Sequence, residues 1–460
     1  MTGLLRTKTI NADHHLVDTG LRRVLGPVDL TLLGVGAIIG AGIFVLTGVA
    51  AATYAGPAIV LSYVVAGFAC AFAALAYAEL AAAIGGCGSA YGYSYAGLGE
   101  LVAWIIGWDL ILEYSVAVSA VAIGWSAYMN NALQAMGLAL PAGLLKGPLE
   151  GGLINLPAAA IVLILGLLLT LGVRQSARFN AAMVLIKLLA IGVFIAIAVS
   201  HVNPANWRPF MPFGWGGVMG GAALIFFAYV GFDAVSTAAE EARNPQRDLP
   251  IGILVSLAVC TLIYILVAGL LTGVVPYATL NVGSPVADVV LRLGYPWGAG
   301  LVAAGAIAGL TTVMLVLYYG LTRVFLAIAR DGLLPPLFAR VNPRTQTPIR
   351  VIAASGLLMA AIAGFTPIGD VAELVNIGTL AAFFLVSVGV LVLRYTRPDL
   401  PRPFHTPFSP LIPLLGAASC LYLMASLPLV TWLRFGVWLA LGLVIYFTYS
   451  RRHSALAGGL

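Results

Sequence analysis

The chain has 460 residues, of which 61% are hydrophobic and only 9% charged, with a net charge of +6. Soluble domains carry about 25% charged residues, and the mean hydropathy here is +1.03, so the composition excludes a water-soluble protein and implies an integral membrane one. There is no phosphate-cradling glycine loop, HExxH or paired CxxC, and the five histidines (His14, His15, His201, His405, His453) are scattered over termini and loops, which argues against an enzyme or a resident metal.

Residues 1–27 are polar and hold Arg6, Lys8, Arg22 and Arg23. No apolar core precedes a small-residue cleavage site, so they read as a cytoplasmic segment and not as a removable signal. A hydrocarbon core of about 30 Å takes about 20 apolar residues of helix. The chain offers twelve such spans, near 28–53, 57–84, 97–129, 155–172, 179–200, 217–241, 250–274, 297–329, 349–365, 371–394, 408–428 and 431–449. Glycine, proline, asparagine or charge marks the breaks between them. The four cysteines (Cys70, Cys87, Cys260, Cys420) lie in apolar segments or a short loop, so no disulfide framework is implied.

With the N-terminus inside, eighteen Lys and Arg fall on cytoplasmic segments and four (Lys146, Arg208, Arg292, Arg434) outside. That asymmetry predicts two cytoplasmic termini and accounts for the positive charge without nucleic acid. Lys187 belongs to neither side.

The first span contains GVGAIIGAGIF at residues 34–44, with Gly34, Gly36, Gly40 and Gly42. Each glycine disfavours a helix interior by roughly 1 kcal/mol relative to alanine. Close helix packing through small residues is one reason to accept that cost. An unwound stretch at half depth is the other, and it must face a cavity, because unpaired backbone groups are costly in hydrocarbon. The half-helix ending near Ile38 then offers carbonyls, and the one beginning near Gly42 offers N–H groups and a positive dipole end. A zwitterion with one carboxylate and one ammonium suits both, and Gly40 and Gly42 let the carboxylate approach without a Cβ in the way.

Ionisable residues at membrane depth are functional candidates by default. On the second span, Glu79 lies near the cytoplasmic end and reads as structural. On the third span, Asp109 and Glu113 are one turn apart on one face. Glu113 is either a hydrogen-bonded buried carboxyl or a cavity carboxylate suited to a cationic side chain or a proton; Asp109 reads first as the former. On the fifth span, Lys187 is about 12 Å from the helix start at 1.5 Å per residue. Its ammonium either snorkels to the cytoplasmic face or points at the broken part of the first span.

The sixth span carries FFAYVGFDAVSTAAEE at 226–241, where Gly231 and Asp233 interrupt an aromatic run. Asp233 suits an N-cap of a second half-helix, and Glu240 and Glu241 suit ion pairs at the inner face. Two breaks five spans apart are the mark of a transporter made of two inverted five-helix repeats. The expected substrate site is Ile38, Ile39, Gly40, Ala41, Gly42 and Ile43 of the first span with Phe227, Ala228 and Val230 of the sixth. Glu113, and Met314 and Tyr318 of the eighth span, are its candidate walls.

GAIIGAGIFVLTG, AELAAAIGGCGSAYGYSYAGLGE, FFAYVGFDAVSTAAEEARNPQRDLPIGI and RDGLLPPLFARVNPRTQTPIR resemble the amino acid–polyamine–organocation transporters. The likeness is greatest to the bacterial cationic amino acid transporter branch and runs from about residue 22 to 394. It implies an all-α membrane protein of twelve transmembrane helices with the leucine-transporter-type fold, importing L-amino acids by proton and not sodium coupling. It also implies that Lys187 takes the place of a sodium ion at the first break, that Asp233 serves gating or pH response, and that Phe227 lids the substrate.

The expected organisation is a cytoplasmic segment 1–27, inverted repeat one over 28–202, inverted repeat two over 203–394, two further helices over 395–450 and a cytoplasmic tail over 451–460. The expected activity is symport of cationic or small neutral L-amino acids with H+ across the plasma membrane, with amino acid exchange as the alternative. The expected partners are the amino acid and the lipid bilayer, without nucleic acid and without a cofactor beyond the proton. The residues do not say whether a small accessory membrane subunit joins it.

Overall fold

The computed structural model describes residues 6–7, 25–84, 89–135, 137–138, 140–170, 177–237, 242–342, 345 and 347–456. The chain is helical throughout, and two isolated bridges are the extent of β pairing among the described residues. The helix α1 (Pro27–Ile38) opens on a proline whose missing N–H is no loss in a first turn, and the Asp29 carboxylate accepts the Gly26 N–H at 2.9 Å. A π-helical turn over Gly42–Leu46, α2 (Thr47–Ala50) and a second π turn over Ala51–Ala55 continue its path.

Three helices follow: α3 (Ile59–Ile84), α4 (Ser89–Gly97) and α5 (Glu100–Ala135). Then come α6 (Leu156–Thr170), α7 (Ala177–Ala198), α8 (Gly214–Ile225), α9 (Ala234–Thr237) and α10 (Pro245–Val274). The short α11 (Pro285–Arg292) precedes α12 (Pro296–Arg330), α13 (Ile349–Phe365), α14 (Ile368–Thr396), α15 (Leu411–Ala425), α16 (Leu429–Ile445) and α17 (Arg451–His453). Proline stands at the start of α1, α10, α11 and α12, as the sequence breaks suggest.

Among the described residues, seven stretches are long and apolar enough to cross a membrane: Gly42–Ile84, Glu100–Gln134, Ala181–His201, Pro245–Val274, Pro296–Arg330, Ile368–Thr396 and Leu429–His453. Five shorter apolar helices accompany them: Pro27–Ile38, Leu156–Thr170, Gly214–Tyr229, Ile349–Phe365 and Leu411–Ala425. Among the described residues, each stretch expected from the sequence overlaps a helix. The largest departure is the sixth, where the α-helix stops at Ile225, earlier than Gly231 suggests.

The long helices α5 and α12 pack on each other at the centre. The helix α5 also meets α14, α10 lies against α3 and α1, and α7 lies against α12 and α1. Among the twelve largest fully buried side chains, ten are tyrosines. Each brings a hydroxyl that needs a partner in a dry interior, so the core is tied by polar bonds as well as by packing. At one end of α3, Glu79 pairs with Arg394 at 2.6 Å and Arg402 at 3.6 Å and accepts the Thr406 N–H at 2.8 Å, a purely structural set of contacts.

Candidate functional site

The first break lies where the glycines stand. Ile39 N–H still donates to Val35 O at 3.1 Å, after which the α-helix ends, and Phe44 N–H returns to Gly40 O at 3.3 Å in the wider π turn. Last-turn carbonyls of a helix have no partner of their own, and here two other helices supply donors. Lys187 of α7 is fully buried, and its Nζ donates to Gly36 O at 2.6 Å and Ile39 O at 3.0 Å. The lysine therefore points at the break and does not snorkel. Gly309 of α12 leaves room for its stem, since a Cβ there would sit 3.3–3.4 Å from the lysine carbons. Tyr264 of α10 donates from its hydroxyl towards Ile38 O at 2.8 Å.

The second break begins at Phe226. A 3-10 turn over Phe226–Tyr229 gives way to Val230 and then Gly231, whose φ of +115° lies where side chains are strained. Phe227 thus sits within the break, one step on from the position just before it that its sequence suggests. Asn376 of α14 donates from Nδ2 to Ala223 O at 2.7 Å and Leu224 O at 2.9 Å. The same Tyr264 hydroxyl stands 2.8 Å from Ala228 O, so one side chain joins the two breaks.

The breaks touch. A Cβ on Gly42 would lie 2.3 Å from Ala228 Cα, and one on Gly231 would lie 3.0 Å from Ala37 O. At Gly42 this corrects the expectation of open backbone for a carboxylate, because Ala228 fills that space and the glycine serves close packing. At Gly40 a Cβ would meet only Val313, at 3.5 Å, an ordinary contact. Ile38, Ile39, Gly40, Ala41, Gly42 and Ile43 are all buried, as are Phe227, Ala228 and Val230, and the structure gathers them at this junction.

Beside it lie three buried carboxyls: Asp109 and Glu113 of α5 and Asp233, the residue before α9. Asp233 Oδ2 accepts the Tyr114 hydroxyl at 3.1 Å, while its backbone oxygen accepts Ser236 N–H at 2.9 Å. Both oxygens of Glu113 and Oδ1 of Asp109 lack a hydrogen-bond partner among the described residues. Thr379 faces Glu113 but gives its hydroxyl hydrogen to Val375 O at 3.1 Å. Asp109 Oδ1 lies against α14, 2.7 Å from where a Cβ on Gly378 would stand. An unpaired ionised carboxylate in a dry interior is costly. The cluster can take up protons or meet a cationic group.

Met314 is fully buried on α12, and its neighbour Val313 is the residue lying over Gly40. Tyr318 is directed elsewhere: its hydroxyl donates to Ile352 O at 2.5 Å, between Gly166 of α6 and Gly356 of α13. That removes it from the candidate walls. Glu240, Glu241 and Cys87 lie outside the described residues, and Cys70, Cys260 and Cys420 are free thiols. Tyr264 and Asn376 carry no charge and so do not stand out within their apolar helices. The available signal was a polar group in the middle of an apolar helix, which needs a partner as much as a charge does.

The family model for amino acid permeases matches residues 25–447. A methylthioribose transporter of Bacillus subtilis (strain 168) is 50% identical over 99% of this chain and 100% of its own length. A branched-chain amino acid permease, BcaP, of the same organism is 52% identical over 95% of each chain. The vacuolar cationic amino acid transporter 4 of Arabidopsis thaliana is 38% identical over 87% of this chain and 68% of its own length.

Proposed function

The chain belongs to the amino acid permease family, and we propose that it is a secondary active transporter importing L-amino acids across the plasma membrane by proton symport. The observation carrying this reading is the buried Lys187 ammonium on the Gly36 and Ile39 carbonyls. In this reading the twelve apolar stretches all span the bilayer, as two inverted five-helix repeats and two further helices, with both termini cytoplasmic. The substrate sits where the first and sixth spans break. Its carboxylate meets backbone N–H groups at Gly40 and beyond, and its ammonium meets carbonyls of the broken segments.

Because Ala228 occupies the space at Gly42, the two breaks separate when substrate enters. Lys187 couples the proton. Protonated, it makes charge-assisted bonds to the first break, roughly twice as strong as neutral ones. When the proton leaves for the cytoplasm, the amine holds those carbonyls weakly and the half-helix α1 is released. Coupling requires such a difference in proton affinity between two conformations. Asp233, on the partner break, is the second titratable group of the gate.

Glu113 stands as the side-chain end of the site, suited to a cationic amino acid. Small neutral amino acids fit a site walled by Phe227, Val230 and Met314. Relatives named for branched-chain and for cationic amino acids make both classes the panel to test. Purified protein in liposomes, given labelled arginine, lysine, leucine and alanine with and without an inward proton gradient, decides the matter. Accumulation that follows the gradient supports symport. One-for-one exchange that ignores it points to an exchanger, and no flux of any of the four overturns the reading.

A further inference from the structure

Asn376 is fully buried in α14, within the apolar run VAELVNIGTLAAFF. Both of its amide hydrogens are committed to last-turn carbonyls of α8, at Ala223 and Leu224, while its Oδ1 has no partner among the described residues. The carbonyls therefore set its orientation. Turned over, its oxygen would face two carbonyl oxygens across the same distances, which is repulsive. Lys187 makes the matching pair of bonds at the last turn of α1, to Gly36 and Ile39. Lys187 lies on the fifth apolar stretch and holds the first; Asn376 lies on the tenth and holds the sixth.

We propose that Asn376 is a positioning residue, the repeat-related counterpart of Lys187: an uncharged clamp that holds the carbonyl end of α8 whatever the pH. Its pairing with Lys187 rests on the two-repeat reading above, whereas the clamp rests on the bonds alone. The chemical difference matters. A lysine can surrender a proton, and a carboxamide has none to surrender in the physiological range. The transporter thus has one releasable carbonyl end and one fixed carbonyl end, and the pH response of its gate enters through Lys187 and the carboxyls, not through the clamp on α8.

The test uses the full-length protein in detergent and the variant Asn376→Asp, which keeps the shape and exchanges the donors for acceptors. Backbone hydrogen–deuterium exchange over residues 226–233 is followed between pH 5 and 8, corrected for intrinsic rates. The clamp predicts exchange at least tenfold faster than wild type at pH 8, since both bonds are lost and one buried bond is already worth about tenfold. The difference shrinks at pH 5, where the carboxylic acid again has a hydrogen to donate. A role in packing alone gives no such acid rescue. Asp109, Glu113 and Asp233, with the hydroxyls of Tyr77 and Tyr114, face this end of α14 in both proteins alike, so the difference between the proteins isolates position 376.

Equal exchange at every pH, or a deficit that pH leaves unchanged, overturns the clamp. If Asn376→Asp does not fold, Asn376→Ser is read at pH 8, since its hydroxyl is too short to reach both carbonyls; wild-type exchange there also overturns it. Neither measurement uses a substrate, so a failed clamp and a failed transport reading are separate results.

Discussion

Two buried polar regions of this molecule stand in opposite states. At the first break, Lys187 donates two of its three ammonium hydrogens to carbonyls, at 2.6 and 3.0 Å. Beside the second break, Glu113 has no donor on either oxygen and Asp109 none on Oδ1 among the described residues, although both are nearly as deeply buried as the lysine. One region is bonded as it stands; the other awaits a proton, a cation or a change of shape. A buried charge that is bonded reports the conformation at hand, whereas an unbonded one reports what that conformation lacks.

The contrast breaks most sharply at the bonded side. Lys187→Ala removes the donor from two carbonyls, and uptake driven by an inward proton gradient should be lost altogether. Lys187→Arg should lose it too, because guanidinium keeps its proton in proteins. Exchange of internal for external amino acid is the control expected to survive. If both variants accumulate substrate on a pH gradient alone, coupling lies with Asp233 or Glu113.

Next in size is the junction itself. Gly42→Val puts a branched side chain where Ala228 Cα stands 2.3 Å away, and Gly231→Leu adds a Cβ at a φ of +115°. Both should abolish the thermal shift produced by amino acid in purified, folded protein. A shift equal to wild type removes the broken-helix site from consideration.

Glu113→Gln sharpens the unfilled side. Where Glu113 reads a cationic side chain, arginine and lysine binding should weaken by roughly ten- to a hundredfold, the value of one charged hydrogen bond at about 1.5–3 kcal/mol, with alanine little changed. Equal loss for all substrates assigns Glu113 to the scaffold or to coupling. The smallest effect belongs to Tyr264→Phe. It strips a donor from the carbonyls at 38 and 228 without changing volume and should cost about 1–3 kcal/mol of unfolding stability, measured by denaturation in detergent.

The first break was legible because four glycines cluster at Gly34, Gly36, Gly40 and Gly42; the second was legible only roughly, from Gly231 and Asp233, since the α-helix already stops at Ile225. The direction of Lys187 was legible only as a choice, since a four-carbon stem reaches either way, and the space beside Gly309 decided it. What the residues could not give was which surfaces meet. Gly42 serves the backbone of Ala228, Tyr318 turns to α13, and Tyr264 and Asn376 act across more than thirty and one hundred and fifty residues of chain respectively. Those pairings come from the crossing of helices distant in sequence, which periodicity along one helix does not encode.

Tyr264 has one hydroxyl hydrogen and two carbonyl oxygens before it, each at 2.8 Å, on half-helices from different parts of the chain. A single hydrogen bonds fully to one of them at a time. The seam between the half-helices is therefore pinned once and not twice, and parting it leaves the hydrogen with either side and an oxygen bare on the other. The bare oxygen is an opening for any arriving N–H, which makes this tyrosine a ready point of hand-over from protein to guest.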